Sequence, residues 1–233
     1  MILSLENVDV RYGQSHVLYG INLGVDEGKI VALLGRNGVG KTTMMRSIIG
    51  LTPPSAGKIL FKGKDIARHP AYTIARQGIG YVPQGREIIP NLTVKENLLL
   101  GTIIRNGKIG TIPEEIFDYF PILKERLDQK GGTMSGGQQQ MLAIGRAIAG
   151  NPSLLLLDEP SEGIQPSIVE QLRDVIKQLN VERGLSILLV EQNTEFAFGI
   201  ADKCYVLDKG HICDEGTVDE IRDDEIIRKY LAL

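Results

Sequence analysis

Hydrophobic positions along the chain fall into two textures. Residues 2–10 (ILSLENVDV) and 21–25 (INLGV) alternate apolar with polar, and residues 58–62 (KILFK), followed by Gly63, do the same. A period of two with one apolar face is the pattern of half-buried antiparallel strands. Residues 30–34 (IVALL), 154–157 (LLLL) and 186–190 (SILLV) are instead short continuous apolar runs. Strands buried on both faces of a parallel sheet read this way. The pattern therefore predicts an antiparallel layer joined to a βα core.

Between these textures, from about residue 89 to 149, the chain reads as helices with start signals. Thr93-Val94-Lys95-Glu96, Thr111-Ile112-Pro113-Glu114 and Ser135-Gly136-Gly137-Gln138 each fit the S/T-x-x-E/Q capping box. The stretch 89–149 is thus expected to be a helical insertion. After Val190 the chain returns to strand and turn: Cys204–Leu207, a turn at Asp208-Lys209-Gly210, then Ile212-Cys213. Thr217-Val218-Asp219-Glu220 caps a short last helix. No internal repeat or low-complexity segment is evident, and no regulatory domain is expected within these residues.

Composition narrows the class. Hydrophobic content of 42% and charged content of 24% over 233 residues are those of an ordinary globular chain with room for a large core. The net charge is −3 and no long Lys/Arg tract exists, so a nucleic-acid partner finds no electrostatic footprint. Cys204 and Cys213 read as reduced thiols of a cytosolic protein. They are too few for a zinc site, and His16, His69 and His211 do not cluster with them. No apolar run approaches the ~18 residues a bilayer crossing requires. The opening Met-Ile-Leu-Ser reads as neither a leader nor a myristoylation site, so any work at a membrane is expected to depend on another chain holding this one there.

The strongest chemical signal joins the apolar run 30–34 to the start of a helix. Gly35, Arg36, Asn37, Gly38, Val39, Gly40, Lys41 and Thr42 fit G-x-x-x-x-G-K-[ST], and Thr43 follows. Glycines there allow backbone N–H groups to turn inward around a phosphate, because positive φ costs glycine little and no Cβ blocks the approach. Lys41 supplies a point charge for the outer phosphates, and the Thr42 hydroxyl is placed to ligate Mg²⁺. The helix that follows, to Ile49 with Gly50 as its cap, aims its positive end at the same anion.

A second signal is Leu154–Leu157 followed by Asp158-Glu159: an acid pair at the C-terminal end of a buried strand, where open α/β sheets bind ligands. Asp158 is expected to hold Mg²⁺ through water, and Glu159 to orient or deprotonate the water that attacks the γ-phosphate. A third is Met134-Ser135-Gly136-Gly137-Gln138. Ser135 as N-cap and Gln138 as its return partner account for it locally. Two glycines in a first helical turn, however, cost about 1 kcal/mol each, which points to a ligand approaching bare backbone. That second anion site is not easily filled by a nucleotide already lying on Gly35–Thr43.

Taken together, these residues resemble the ATP-binding subunits of ABC transporters over essentially the whole chain. The resemblance implies an α/β P-loop NTPase (ABC ATPase) fold: a mixed, largely parallel sheet core with an antiparallel β subdomain and a helical insertion. It implies one domain over 1–233, with 1–88 and 150–233 forming the nucleotide-binding core and 89–149 the helical subdomain. It also implies ATP and Mg²⁺ as ligands. Tyr12 would stack on adenine, Gly35–Thr43 be Walker A, Gln84 the Q-loop residue touching Mg²⁺, Ser135–Gln138 the signature, Leu154–Asp158 Walker B and Glu159 the catalytic glutamate. In that family two subunits close head to tail, the signature of one completing the ATP site of the other.

Two positions depart from the family pattern. Val190-Glu191-Gln192-Asn193 places Gln192 where a histidine is usual, and an amide donates to a γ-phosphate but never becomes cationic. Ser161-Glu162-Gly163-Ile164 places isoleucine where the family usually has an aspartate that contacts the partner. These departures, with Glu159–Pro166 and Gly85-Arg86-Glu87, look like bacterial importers of branched-chain amino acids and of urea or short amides. Val82–Ile88 leans to the urea subgroup, because the amino-acid subgroup more often has glutamate where Gln84 stands. The resemblance thus implies an ATPase at the cytoplasmic face of the inner membrane. Its partners would be a second ATPase subunit (itself or a paralogous chain), two membrane permeases and, indirectly, an external solute-binding protein, with no nucleic acid. The competing reading is a non-transport ABC ATPase acting on nucleic acid or ribosomes, but the long coiled coils, zinc ligands or tandem cassette expected of those are missing. A P-loop GTPase would need the guanine-reading Asn-Lys-x-Asp, which does not occur here.

Overall fold

The computed structural model describes residues 1–105, 107–222 and 230–231. Four strands, β1 (Leu3–Tyr12), β2 (Ser15–Val25), β4 (Ala56–Phe61) and β5 (Lys64–Asp65), form an antiparallel sheet in the order β2-β1-β4-β5. A second sheet runs β10-β9-β3-β8-β7-β6, built from β3 (Ile30–Leu34), β6 (Ile79–Val82), β7 (Leu154–Asp158), β8 (Ser186–Glu191), β9 (Lys203–Asp208) and β10 (His211–Thr217). All its neighbours pair in parallel except β9 and β10, which form a hairpin. The strands read as continuous apolar runs, β3, β7 and β8, occupy the interior of this sheet and are buried at every position.

Helix α1 (Lys41–Ile48) lies between the two sheets. Its Met44, Met45 and Ile48 pack with Leu154, Leu156, Leu188 and Val190 from one side and with β1 and β2 side chains from the other. The alternate positions Leu155, Leu157, Ile187 and Leu189 face the opposite way, into a second core. That core is covered by α3 (Val94–Thr102), α6 (Gly136–Ala149), α7 (Pro166–Arg183) and α8 (Thr194–Phe198). Short helices α2 (Ala71–Arg76), α4 (Glu115–Tyr119), α5 (Pro121–Glu125) and α9 (Val218–Ile221) complete the described elements apart from short 3₁₀ turns. The period-two side-chain alternation of a sheet buried on both faces thus builds two cores from one set of leucines.

Helix α3 crosses α6 so closely that a Cβ on Gly101 would lie 2.0 Å from the Arg146 carbonyl oxygen. Three of the four capping boxes form, at Thr93, Ser135 and Thr217. The one at Thr111 does not: α4 begins later, after Glu114, without a side-chain cap. Pro113 disfavours helical backbone at Ile112, the position a box there needs as its first helical residue. The Glu114 carboxylate instead accepts from Lys124. Strand β2 also starts earlier than the alternation suggests, because register shifts against β1 and a left-handed Gly20 break the period. Cys204 is buried, Cys213 exposed, and both are free thiols.

Candidate functional site

The loop 35–40 leaves the C-terminal end of β3 and turns directly into α1. Gly38 (φ 80°) and Gly40 (φ 114°) carry the turn in the left-handed region, where a side chain would be strained. A Cβ on Gly35 would meet the Leu207 carbonyl oxygen at 2.5 Å. The loop is held from outside by Gly210, whose N–H donates to the Val39 carbonyl (3.0 Å) while its own carbonyl accepts from Tyr19 N–H (2.9 Å). Gly40 gives α1 no side-chain cap, so the first N–H groups of that helix stay available to an anion. They face a cavity of about 340 Å³ lined by Asn37, Gly38, Gly40–Thr43 and Val17, and by Gln84 and Glu159 from the other side.

Lys41 is 4% exposed, and its ammonium is gathered inward. Nζ donates to the carbonyls of Gly35 (2.8 Å) and Arg36 (3.0 Å) and lies 2.9 Å from Glu159 Oε1. Glu159, itself left-handed (φ 49°), also accepts from Gln84 Nε2 at 3.3 Å, and the same amide donates to Glu162 at 2.9 Å. The acid pair is thus split. Glu159 turns to Lys41, while Asp158 is held by Thr42 Oγ1 and Tyr81 Oη, each at 3.3 Å. Burial, reinforced by the neighbouring Glu159 charge, pushes the Asp158 carboxyl up to about 6 against the hydrogen bonds and Lys41 that favour its charge. Burial and Asp158 likewise push the Tyr81 phenol up, keeping it a donor.

Thr42 hydroxyl, Asp158 carboxylate and the nearby Gln84 amide form an all-oxygen donor set, which suits a hard cation such as Mg²⁺. No group of three or more His, Cys, Asp or Glu that could hold a metal occurs among the described residues. Phosphate and water oxygens would therefore have to complete its shell.

Gln192 follows β8 and faces an open pocket of about 380 Å³ shared with Asn37, Glu159, Ser161, Glu162 and Glu191. Tyr12 stands at the end of β1, 45% exposed, with its hydroxyl 3.3 Å from Thr52 Oγ1, outside the lining of the cavity beside α1. Ser135 caps α6, with Gln138 N donating to its hydroxyl at 3.4 Å and its own N–H donating back to Gln138 Oε1 at 3.1 Å. None of Ser135–Gln138 lines the cavity beside α1. Gly136 instead lies against the Arg86 guanidinium and Gly137 against Ile168, while Ile164 packs on the core. An apolar opening of about 270 Å³ runs between the core and the helical region, lined by residues including Ile74, Tyr81, Leu100, Gly101, Arg146 and Ala147.

Three site residues had no role in the sequence reading. Tyr81 was an aromatic in an apolar strand, and Arg146, which donates to the Glu87 carbonyl at 2.7 Å, was one helical arginine among several. Glu191 had a signal: β8, like β7, is an apolar run ending in an acid.

A family model described as ABC transporter matches residues 18–162. The chain is 42% identical to the high-affinity branched-chain amino acid transport ATP-binding protein BraG of Pseudomonas aeruginosa, over 91% of each protein. It is 35% identical to the lipopolysaccharide export system ATP-binding protein LptB of Escherichia coli, over 99% of this chain and 97% of that one. Among solved structures, the dimeric post-hydrolysis state of the ATP-binding cassette MJ0796 bound to ADP and Pi superposes with a TM-score of 0.82. It is 27% identical and covers 93% of this chain and 98% of its own.

Proposed function

The chain belongs to the ABC transporter family, and from that premise we propose that it powers import of a branched-chain amino acid, or of urea or a short amide, as one half of a paired cassette. Membership makes it an ATP-hydrolysing subunit, and cassettes of this family work as dimers with membrane permeases. No helix among the described residues is long and apolar enough to cross a membrane. The permeases, in this reading, hold it at the cytoplasmic face of the inner membrane.

The observation that carries the reading is a convergence with one omission. Gly35–Thr43, Gln84, the Asp158-Glu159 pair and Gln192 come from four separate strand ends, whereas Ser135–Gln138 stay outside the cavity. The N–H groups of 38–43 and Lys41 hold the phosphates. Thr42 and Asp158, with Gln84, hold Mg²⁺, which when bound neutralises phosphate charge. Tyr12 offers its exposed ring to adenine. Glu159 leaves Lys41 as the phosphates arrive and takes the proton of the attacking water, while Gln192 donates to the γ-phosphate. Ser135–Gln138 serve the nucleotide of the partner subunit. Residues 1–88 and 150–233 hold nucleotide and 89–149 respond to it, the apolar opening between them being suited to an apolar-faced permease segment.

BraG supports the amino-acid solute, whereas Gln84 and the run to Ile88 lean to urea or short amides. The likeness to LptB keeps an export system as the second reading. The solute itself is recognised by the permeases and an external binding protein. Light-scattering mass of the Glu159→Gln variant, with and without Mg-ATP, tests the pairing. An ATP-dependent shift from monomer to dimer means two copies suffice. A monomer with ATP bound means the partner is a paralogous chain. Failure to bind ATP at all would overturn the reading.

A further inference from the structure

Glu191 is one of the most deeply buried acids in the protein, 2% exposed, and no lysine, arginine or histidine forms an ion pair with it among the described residues. What satisfies it comes from two different loops, the Ser161 hydroxyl and N–H on one and the Asn193 N–H on the other. Its Oε1 accepts from Ser161 N–H at 3.0 Å, and its Oε2 accepts from Asn193 N–H at 3.2 Å. Ser161 belongs to the loop that leaves β7 directly after Asp158-Glu159. Asn193 belongs to the loop that leaves β8. A carboxylate without a counter-ion is an expensive way to close a core, and a buried apolar residue there would pack without that cost. The expense is accounted for if the two oxygens are needed to hold two loops at once.

The residue enclosed by this arrangement is Gln192. On one side Glu191 is fixed by β8, whose Val190 carbonyl also accepts the Glu159 N–H at 2.9 Å. On the other, Asn193 is fixed by the Glu191 carboxylate and by its own side chain, which caps α8 through Phe196 N–H at 3.1 Å. The Gln192 side chain has no hydrogen bond of its own among those described and stands in the pocket shared by Asn37, Glu159 and Ser161.

We propose that Glu191 is a positioning residue that ties the loop after Asp158-Glu159 to the loop carrying Gln192, so that Gln192 and Glu159 are set against the same phosphate as one unit. The inference rests on the proposed placing of Gln192 at the γ-phosphate and adds the group that holds it there.

The test is a double-mutant cycle of Glu191→Gln and Gln192→Ala, read as kcat and KM for ATP on the full chain in the dimer that turns ATP over, with amide exchange measured alongside. Glu191→Gln keeps the volume but leaves one acceptor for two N–H groups. Expected are a roughly tenfold loss of kcat with KM within about twofold, and less than about twofold further loss when Gln192 is already alanine. Exchange is expected to quicken at Ser161 and Asn193 while β7 and β8 keep their protection. Should Glu191→Gln fail to fold, Glu191→Asp keeps the charge but is too short to reach both amides, and is expected to show the same pattern. Independent, multiplying losses, an unchanged kcat, or loss of protection throughout β8 would overturn the proposal. Glu159→Gln separates the two levels. Turnover surviving there strikes the hydrolytic reading itself, while its loss together with an additive cycle strikes only Glu191.

Discussion

Replacing Glu159 by glutamine should strengthen ATP binding and abolish turnover at the same time. The Lys41 ammonium is engaged by the Glu159 carboxylate at 2.9 Å, with the two residues only 4% and 8% exposed. A pair of unit charges at that distance attracts by about 6 kcal/mol at an effective dielectric of ~20. Most of this need not be lost in the proposed complex, because Lys41, which also donates to the Gly35 and Arg36 carbonyls, would exchange one anion for another. The uncompensated part is the carboxylate left beside an incoming triphosphate, a like-charge contact of about 1.4 kcal/mol at ~3 Å in a solvent-like dielectric of ~80. Glutamine has nearly the same shape and no charge to displace, so affinity for Mg-ATP should rise about tenfold. The same change removes the proposed proton acceptor, a role worth about 10²–10⁴ in rate. Equilibrium titration with a fluorescent ATP analogue reads the first effect and single-turnover phosphate release the second. Unchanged or weaker binding would refute the displacement argument, and near-normal release would refute Glu159 as the base.

Two further outcomes follow from packing and charge. Gly101→Ala puts a methyl group 2.0 Å from the Arg146 carbonyl oxygen; forcing α3 and α6 apart should cost ~3 kcal/mol and lower Tm by about 6–12 °C in a thermal melt. An unchanged Tm would show that the crossing is not tight. Asp158, raised to about 6 by burial, keeps its proton in the folded chain at pH values where the unfolded chain, with an aspartate pKa of about 3.9, has lost it. The folded state therefore binds more protons between about pH 4 and 6, and this group's contribution to stability falls as pH rises through that window. Asp158→Asn should flatten that part of the Tm-against-pH curve, and an identical slope in the variant would contradict it.

The core of the fold was legible because burial on both faces leaves an unambiguous mark. IVALL, LLLL and SILLV have no polar position to misplace, and each became an interior strand. Capping chemistry was legible wherever the first turn was free to be helical, as at Thr93 and Ser135, and failed at Thr111, where a proline two residues on overrides the box. Strand β2 was truncated because bulges destroy periodicity without destroying pairing. At the site, the loop 35–40 and the acid pair are runs of consecutive residues, so their places at the ends of β3 and β7 could be read directly. The engagement of Lys41 by Glu159, 118 positions apart, the grip of Tyr81 on Asp158 and the reach of Glu191 to two loops are contacts made only by folding. No local pattern specifies them.

The tight crossing at Gly101 makes α6 a lever. The helix is 14 residues long, so its ends stand about 20 Å apart. One end presents Ser135 and its two glycines, while the other places Arg146 and Ala147 in the apolar opening. With the α3 backbone seated against the Arg146 carbonyl, the crossing leaves little room for the two helices to slide past one another. A rotation of only ~10° about the far end sweeps Ser135 through about 3.5 Å, more than the whole length of a hydrogen bond. Whatever seats itself in the opening therefore needs to supply very little motion to displace Ser135, at the other end of the helix, by the length of a hydrogen bond.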